Sequence, residues 1–556
     1  MRVKDNVSSI MRAAITSWQK ENSLSLDTFP PVIPEVPKLK EHGDFATNVS
    51  MLLSPIVKWP SRRIAEGIAS HVKKERGVIE KVEVAGPGFI NIYLGKILWY
   101  EALKTIGEEG DNYGRIDIGK NKKVQVEYVS ANPTGPLHIG HGRGAAIGDV
   151  LSNLLRSAGY QICREYYIND VGNQMLTLGR SVYLRYLELS GKEVIFPLNH
   201  YQGDYIREIA HAIRNEQNGK YLEMPEEKAV PFFTSYASDY ILKGIKKDLE
   251  AFGVFFDNWQ SEKQVFEEGL VLKVLDELKA KDYLYKKDGA LWFQATRFGD
   301  EKDRVIIKAD GVPTYFASDI AYHKQKYDRG FDSVINIWGA DHHGYIPRMK
   351  AVIQALGKDP ESLKVVLVQL VSLLRDGKPV AMSTRSGEFI TLREVINEVG
   401  KDASRYLFLT RRSDSQLDFD LELAKRQNEE NPVYYVQYAH ARISSIIEFA
   451  KSKGMDLQTI KEASIELLTL PEEITLIKKL SRFPDVIEGC VISLEPHRIT
   501  VYLGELVSEF HAYYNKYRVV IDDRELSRAR LYLVSAVRQV LKNALHILGV
   551  NAPEKM

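Results

Sequence analysis

A strand, a turn-rich loop, an amphipathic helix and a second strand succeed one another between Val124 and Ile168, and no other stretch restricts the possible folds as much. Val124, Val126 and Tyr128 alternate with Gln125 and Glu127, the period of two that marks a half-buried strand. Ser130-Ala131-Asn132-Pro133-Thr134-Gly135-Pro136 is built from turn formers. Ile147, Val150, Leu151, Leu154, Leu155 and Ala158 then fall on one helical face, with Gly159 placed to end the helix. Gln161 to Ile168 reads as the next strand, so the unit is β-loop-α-β. At the start of its helix stands His138-Ile139-Gly140-His141. Backbone N–H groups point outward from such an end, glycine permits close approach of a phosphate, and histidine can donate to a pentavalent phosphorus centre. A bare His-x-Gly-His also occurs at surfaces and metal sites, but this strand–helix setting favours a nucleotide, with ATP as the expected ligand.

The longer string Ser-Ala-Asn-Pro-Thr-Gly-Pro-Leu-His-Ile-Gly-His resembles the first signature of the class I aminoacyl-tRNA synthetases, and the bacterial arginyl enzymes in particular. The resemblance implies an α/β fold: a Rossmann-like parallel-sheet catalytic domain between an N-terminal α+β tRNA-binding domain and a C-terminal all-α anticodon-binding domain. It also implies a two-step reaction. The arginine carboxylate attacks the α-phosphate of ATP, and the terminal adenosine of tRNA(Arg) then attacks the arginyl-adenylate. ATP is thus a substrate, and Mg2+ is expected to arrive on its phosphates rather than in a protein cage.

Bulk properties agree with this reading without dictating it. A chain of 556 residues suggests about three to four domains. Its 44% hydrophobic and 27% charged content is ordinary for globular protein. A net charge of +1 means that any nucleic-acid surface must be a local patch. Two distant cysteines, Cys163 and Cys490, argue against a disulfide framework and suit a reducing cytosol. Charges run through Met1 to Lys20, so no apolar signal core is expected there, and no uncharged stretch is long enough to cross a bilayer. A cytoplasmic monomer without a membrane partner is the expectation.

Texture divides the chain into residues 1–115, 116–424 and 425–556. The first part passes from helical periodicity through the Pro-rich segment Pro30 to Pro37, which excludes helix, to Val82-Glu83-Val84 and Phe89-Ile90-Asn91-Ile92-Tyr93-Leu94 as strands. That last string resembles the N-terminal extra domain of arginyl enzymes, which implies that Phe89 stacks on, and Asn91 bonds to, a D-loop base. In the middle part, Val334 to Trp338 and Val365 to Val371 read as buried strands, and residues of about 170–290 as a charged helical insertion. Ligands of open parallel sheets collect at the C-terminal ends of strands, and each motif follows such a run. The last part has long helical periodicity, opening at Asn431-Pro432-Val433-Tyr434-Tyr435-Val436-Gln437-Tyr438 and closing at Leu545-His546-Ile547-Leu548-Gly549-Val550. Both strings resemble the helical anticodon-binding domain. The resemblance implies tRNA contacts from Tyr435, Tyr438, Tyr513, Tyr514 and Met556. Spacing leaves open which tyrosine of each pair faces RNA; Tyr438 and Tyr514 are favoured.

For catalysis, His138 and His141 are the expected phosphate donors, with Gly140 leaving room for adenine and ribose. Gly339-Ala340-Asp341-His342-His343 follows a strand and is expected to carry ATP through Gly339, Asp341 and His342. An aspartate and two histidines are also metal-ligand types, but adjacent histidines rarely converge on one ion. No metal site is expected. The second class signature, Lys-Met-Ser-Lys-Ser, is matched by Ala381-Met382-Ser383-Thr384-Arg385-Ser386-Gly387, which keeps Met382 and Ser383 but neither lysine. Arg385 and Lys378 are the nearby cations that can replace them, and arginine grips phosphate bidentately where lysine acts as a point charge.

A guanidinium presents five donors in a fixed fork, so an arginine pocket must offer a carboxylate and further acceptors. Tyr315 and Asp319 are four apart and share a helical face. The resemblance places both near the substrate, together with Glu127, Ser130 and Asn132 after the first strand. His138 and His342 are placed beside the arginine as well, His342 standing where some eukaryotic members carry glutamine. Cysteinyl or glutamyl specificity would need a zinc-thiolate pocket or a cation, and the two lone cysteines and the acidic pocket disfavour both. Retention of both histidines, Glu127 and Asp319 disfavours a non-catalytic tRNA-binding paralogue.

Overall fold

The computed structural model describes residues 2–24, 30–72, 77–380, 390–455 and 462–556. Five parallel strands form the central sheet, in the order Leu363–Val368, Ser333–Gly339, Lys123–Glu127, Gln161–Ile168, Asn258–Ser261. The chain enters at Lys123–Glu127, runs outward to Asn258–Ser261, then returns to the other side of its first strand. The reversal puts a crevice beyond the C-terminal ends of Lys123–Glu127 and Ser333–Gly339, where open α/β sheets bind ligands. The expected helix runs Ile139–Ser157 and packs on the sheet, and Gly159 (φ 84) turns the chain after it.

Two expectations change in this region. Val365 to Val371 is not one strand: Leu363–Val368 stays in the parallel sheet, while Val371–Arg375 starts a separate three-stranded sheet with Lys378–Pro379 and Leu417–Asp420. Leu370, 77% exposed between them, marks the break that an unbroken apolar run conceals. Residues 170–290 are not one helical insertion either. Helices Asn173–Leu189, Asp204–Gln217 and Glu226–Ala251 form a helical group, but Asn258–Ser261 then returns as the edge strand of the central sheet. Four residues are too few to show a period of two.

The first part folds as a three-stranded antiparallel sheet with Phe89–Leu94 in the middle, covered by helices Val49–Val57 and Ser61–Ser70, with Val3–Glu21 packed on the latter. The last part is all helical: Pro432–Ser452, Pro471–Ser481, Phe483–Ser493, His497–Lys516 and Arg524–Leu548. Helix Lys96–Glu109 joins the two by packing on Pro471–Ser481 and Arg524–Leu548. One apolar cluster runs from Val3 through the histidine helix to Val550, so the three parts share a core. No described helix is long and apolar enough to cross a membrane.

Candidate active site

His138 is the N-cap of the Ile139–Ser157 helix, and the two signature histidines close a reciprocal capping box. Gly140 N–H donates to His138 Nδ1 (3.1 Å), and His138 N–H donates to His141 Nδ1 (3.2 Å). The rings stack with centroids 3.8 Å apart. Burial lowers the pKa of His138, and burial followed by His138 itself brings His141 down to about 3. Both rings are therefore neutral at pH 7. Because each Nδ1 accepts, the ring proton sits on Nε2, which makes each ring an Nε2–H donor at the positive end of a helix. A Cβ at position 140 would come within 3.0 Å of the His138 ring, so glycine is what lets the cap close.

The strand before this helix delivers Glu127 to the crevice and then turns sharply. Val129 (φ 67) and Ser130 (φ 41) occupy the left-handed region that side chains avoid, a strain that collects at functional sites. Ser130 Oγ donates to Glu127 Oε1 (3.2 Å) and accepts from Tyr167 N–H (3.1 Å), while Asn132 Nδ2 donates to Gln174 Oε1 (2.7 Å). The other oxygen of Glu127 is taken by Lys326, a wholly buried lysine that also donates to Asn336 Oδ1 (3.0 Å). Below this pair, Tyr322, Gln125, Asn258 and Arg329 all donate to buried Glu165.

Helix Tyr315–Asp328 forms the opposite wall. Asp319 is half-buried and accepts from Tyr345 OH; desolvation, then the nearby Glu127, raises its pKa to about 6 against the hydrogen bond. Tyr315 stands 62% exposed one turn earlier, with its hydroxyl over Gly172. Behind them lies Glu262, 2% exposed, whose Oε1 accepts from Ser318 Oγ (2.8 Å). Its Oε2 has no hydrogen-bond partner among the described residues, and burial raises its pKa to about 7. Tyr167 OH is likewise buried and unpartnered among them; burial and then Glu262, Asp319, Glu127 and Asp170 raise its pKa. Lys326 neutralises Glu127, but neither Asp319 nor Glu262 forms an ion pair among the described residues. The cleft thus carries surplus negative charge and orphan acceptors, the complement of a cationic multi-donor group.

Lys326, Tyr345, Glu262 and Tyr167 were not legible as site residues. One signal existed: Lys326 lies seven residues beyond Asp319 and so shares its helical face.

The third wall is the segment Ala340–Tyr345 after the strand Ser333–Gly339. Asp341 and His342 are exposed, with His342 Nε2 3.5 Å from Asp341 Oδ2, and Gly339 lies against the Asp341 carboxylate. Among the described residues, no three His, Cys, Asp or Glu side chains gather as a metal-ligand set. Lys378 sits exposed in the short strand Lys378–Pro379. Met382, Ser383 and Arg385 lie outside the described residues.

Away from the crevice, Phe89 begins its strand 42% exposed, whereas Asn91 in the same strand is buried. On the helical part, Tyr513 is buried and its hydroxyl donates to Glu473 (3.3 Å), while Tyr514 is half-buried and Tyr438 exposed. Arg442 joins these last two, donating to Tyr438 OH (3.4 Å) and lying 5.1 Å from the Tyr514 ring centre. Tyr435 packs on His511, and Met556 is 54% exposed.

A parallel sheet with a histidine-capped helix at its switch point is the arrangement of the class I aminoacyl-tRNA synthetases, and the family models agree. Residues 103–441 match "tRNA synthetases class I (R), catalytic domain", 3–94 match "Arginyl tRNA synthetase N terminal domain" and 436–556 match "DALR anticodon binding domain". The arginine–tRNA ligase of Syntrophotalea carbinolica is 53% identical and that of Citrifermentans bemidjiense 52%, each alignment covering 100% of both chains. The chain belongs to the arginyl-tRNA synthetases. Thermus thermophilus arginyl-tRNA synthetase, at 20% identity, shares the fold over 100% of both chains with a TM-score of 0.76.

Proposed function

We propose that the crevice between the histidine cap and helix Tyr315–Asp328 is where this arginine–tRNA ligase joins arginine to ATP. The enzyme activates L-arginine with ATP and transfers it to tRNA. In this reading Asp319 and Glu262 receive the guanidinium, with Tyr167 OH and Tyr315 as further partners. Glu127, held by Lys326 and Ser130, faces the substrate with Asn132. His138 and His141 donate through Nε2–H to the α-phosphate, where charge grows in the transition state. Gly140, Gly339, Asp341 and His342 seat the nucleotide, and His342 also borders the arginine. Mg2+ would travel on the ATP phosphates and offset their charge. Met382 and Ser383 would serve the pyrophosphate, with Arg385 or Lys378 as the cation.

Labour divides along the chain: 1–115 for the tRNA corner, through Phe89 and Asn91; 116–424 for chemistry; 425–556 for the anticodon. The Tyr438–Arg442–Tyr514 cluster fits a single-stranded base, which binds by stacking with local positive charge. Tyr435 backs that cluster through His511, Tyr513 is instead buried on Glu473 and holds its helix in place, and Met556 reaches the same RNA. One chain carries all three surfaces, which supports a monomer, and free cysteines suit the cytoplasm.

The observation carrying the pocket assignment is the pair of carboxylates, Asp319 and Glu262, neither of which forms an ion pair among the described residues. Asp319→Asn and Glu262→Gln should each raise the arginine KM, by about tenfold to a hundredfold for one charged hydrogen bond. An unchanged KM in both variants would refute the assignment.

A further inference from the structure

Glu262, one of the two carboxylates assigned to the guanidinium, has little of its own to hold it in place. Ser318 Oγ, at 2.8 Å, is its one hydrogen-bond partner among the described residues. Glu262 opens the short helix Glu262–Glu267, which starts where the edge strand Asn258–Ser261 ends. A carboxylate that must meet a guanidinium fork has to stand within about 0.5 Å of its productive place. The backbone on either side of it must therefore be fixed.

Asp170 meets that need. It lies two residues beyond the strand Gln161–Ile168, whose Ile168 pairs with Ser261. Ser261 Oγ donates to Asp170 Oδ2 (2.6 Å), and Lys263 N–H donates to Asp170 Oδ1 (3.0 Å). These donors belong to the residues immediately before and after Glu262, so the Asp170 carboxylate straddles the point where Glu262 joins the backbone. Ser261 Oγ in turn accepts from Gln264 N–H (3.3 Å), which ties the first turn of the helix to the same group. Each Asp170 oxygen already accepts from this turn. Asp170 is thus placed to hold Glu262, not to take the guanidinium itself.

We propose that Asp170 is a positioning residue for amino-acid selection, clamping residues 261–263 so that Glu262 stands ready for the guanidinium. The inference rests on the role given to Glu262 above and deepens it. A plain helix cap also accepts bonds of this kind, and its loss weakens the fold. Such a cap would not act on one substrate alone, and it would not act through one carboxylate.

ATP–pyrophosphate exchange in the presence of tRNA separates the two. Asp170→Ala should raise the arginine KM about tenfold, within the range of coupling between groups that share partners, and leave kcat and the ATP KM near wild type. Asp170→Asn keeps an acceptor for Lys263 N–H and a partner for Ser261 Oγ, so it should bring the arginine KM back to within about threefold of wild type. In a Glu262→Gln background, Asp170→Ala should add nothing, because the group it serves is already disabled. The same rise in that background as in wild type would mean that Asp170 acts elsewhere, and the proposal is wrong. It is also wrong if Asp170→Ala leaves the arginine KM unchanged, or lowers kcat alone, the mark of a structural cap. Should Asp170→Ala fail to fold, Ser261→Ala removes one of the two bonds and decides in its place: a raised arginine KM supports the clamp, and an unchanged one overturns it. If Glu262→Gln by itself leaves the arginine KM unchanged, the role of Glu262 falls and this inference with it. A raised KM in Glu262→Gln beside an unchanged one in Asp170→Ala sinks this inference alone.

Discussion

At the scale of residues, protonation decides how the crevice handles its two charged ligands. His141, its pKa down to about 3, gives up no proton between pH 6 and 8. His138, lowered below its ordinary value by burial, is neutral at pH 7, so their donation to phosphate should not depend on pH above 7. Removing either donor should slow adenylate formation roughly a hundredfold or more, as for other preorganised donors. Single-turnover activation by His138→Ala and His141→Ala at wild-type rates would show the cap is structural. The carboxylates behave differently. Asp319 and Glu262 have pKa values raised to about 6 and about 7, so each is neutral below and charged above its value. A guanidinium, charged throughout, binds the ionised form. The arginine KM should therefore fall as pH rises from 6 to 8 and level off above, and arginine binding near pH 6.5 should release protons. Calorimetry in buffers of different ionisation enthalpy measures that release; proton uptake, or none, would contradict the pocket electrostatics. The sequence exposed Asp319 and Tyr315 by helical spacing, but it hid Glu262 and Tyr167. Their significance lies in what they lack as partners, and only the folded packing reveals that.

At the scale of elements, the histidine helix is held from both ends of the chain. Arg405, wholly buried, donates to Asp149 on that helix, to Leu548 O at the end of the last helix (2.9 Å) and to Phe252 O at the end of the insertion (3.1 Å). Gly549 (φ 66) makes room, because a Cβ there would come within 2.4 Å of the guanidinium. Arg405→Ala would leave Asp149 buried with Arg164, at 3.4 Å, as its one ion-pair partner among the described residues. The loss should be about 3–5 kcal/mol of stability, read from the denaturant midpoint. A shift below about 1 kcal/mol, the range of an exposed pair, would mean that the ion pair is not buried in solution. These elements differ in how readily the sequence discloses them. The strand Gln161–Ile168 and the helix Ile139–Ser157 follow from apolar period alone. The edge strand Asn258–Ser261 does not, being too short for a period and recruited by pairing with Gln161–Ile168. The Lys326–Glu127 pair spans 199 residues and depends on a crossover that no local pattern records.

At the scale of the whole molecule, three parts sharing one core would read one tRNA at separate places. Tyr438→Ala should weaken tRNA binding by roughly 1–3 kcal/mol, the worth of a stacked base, and should blunt discrimination against a tRNA with an altered anticodon. If discrimination survives intact, recognition lies elsewhere on the helical part. The resemblance further implies that activation needs bound tRNA, so the anticodon surface and the crevice should act together. Surplus negative charge in the crevice should select a cationic amino acid for joining to ATP. ATP–pyrophosphate exchange in the presence of tRNA, with arginine and with its neutral near-isostere citrulline, tests this most directly. Exchange is expected with arginine and none with citrulline at the same concentration. Comparable exchange with both would mean that the carboxylates do not choose the substrate.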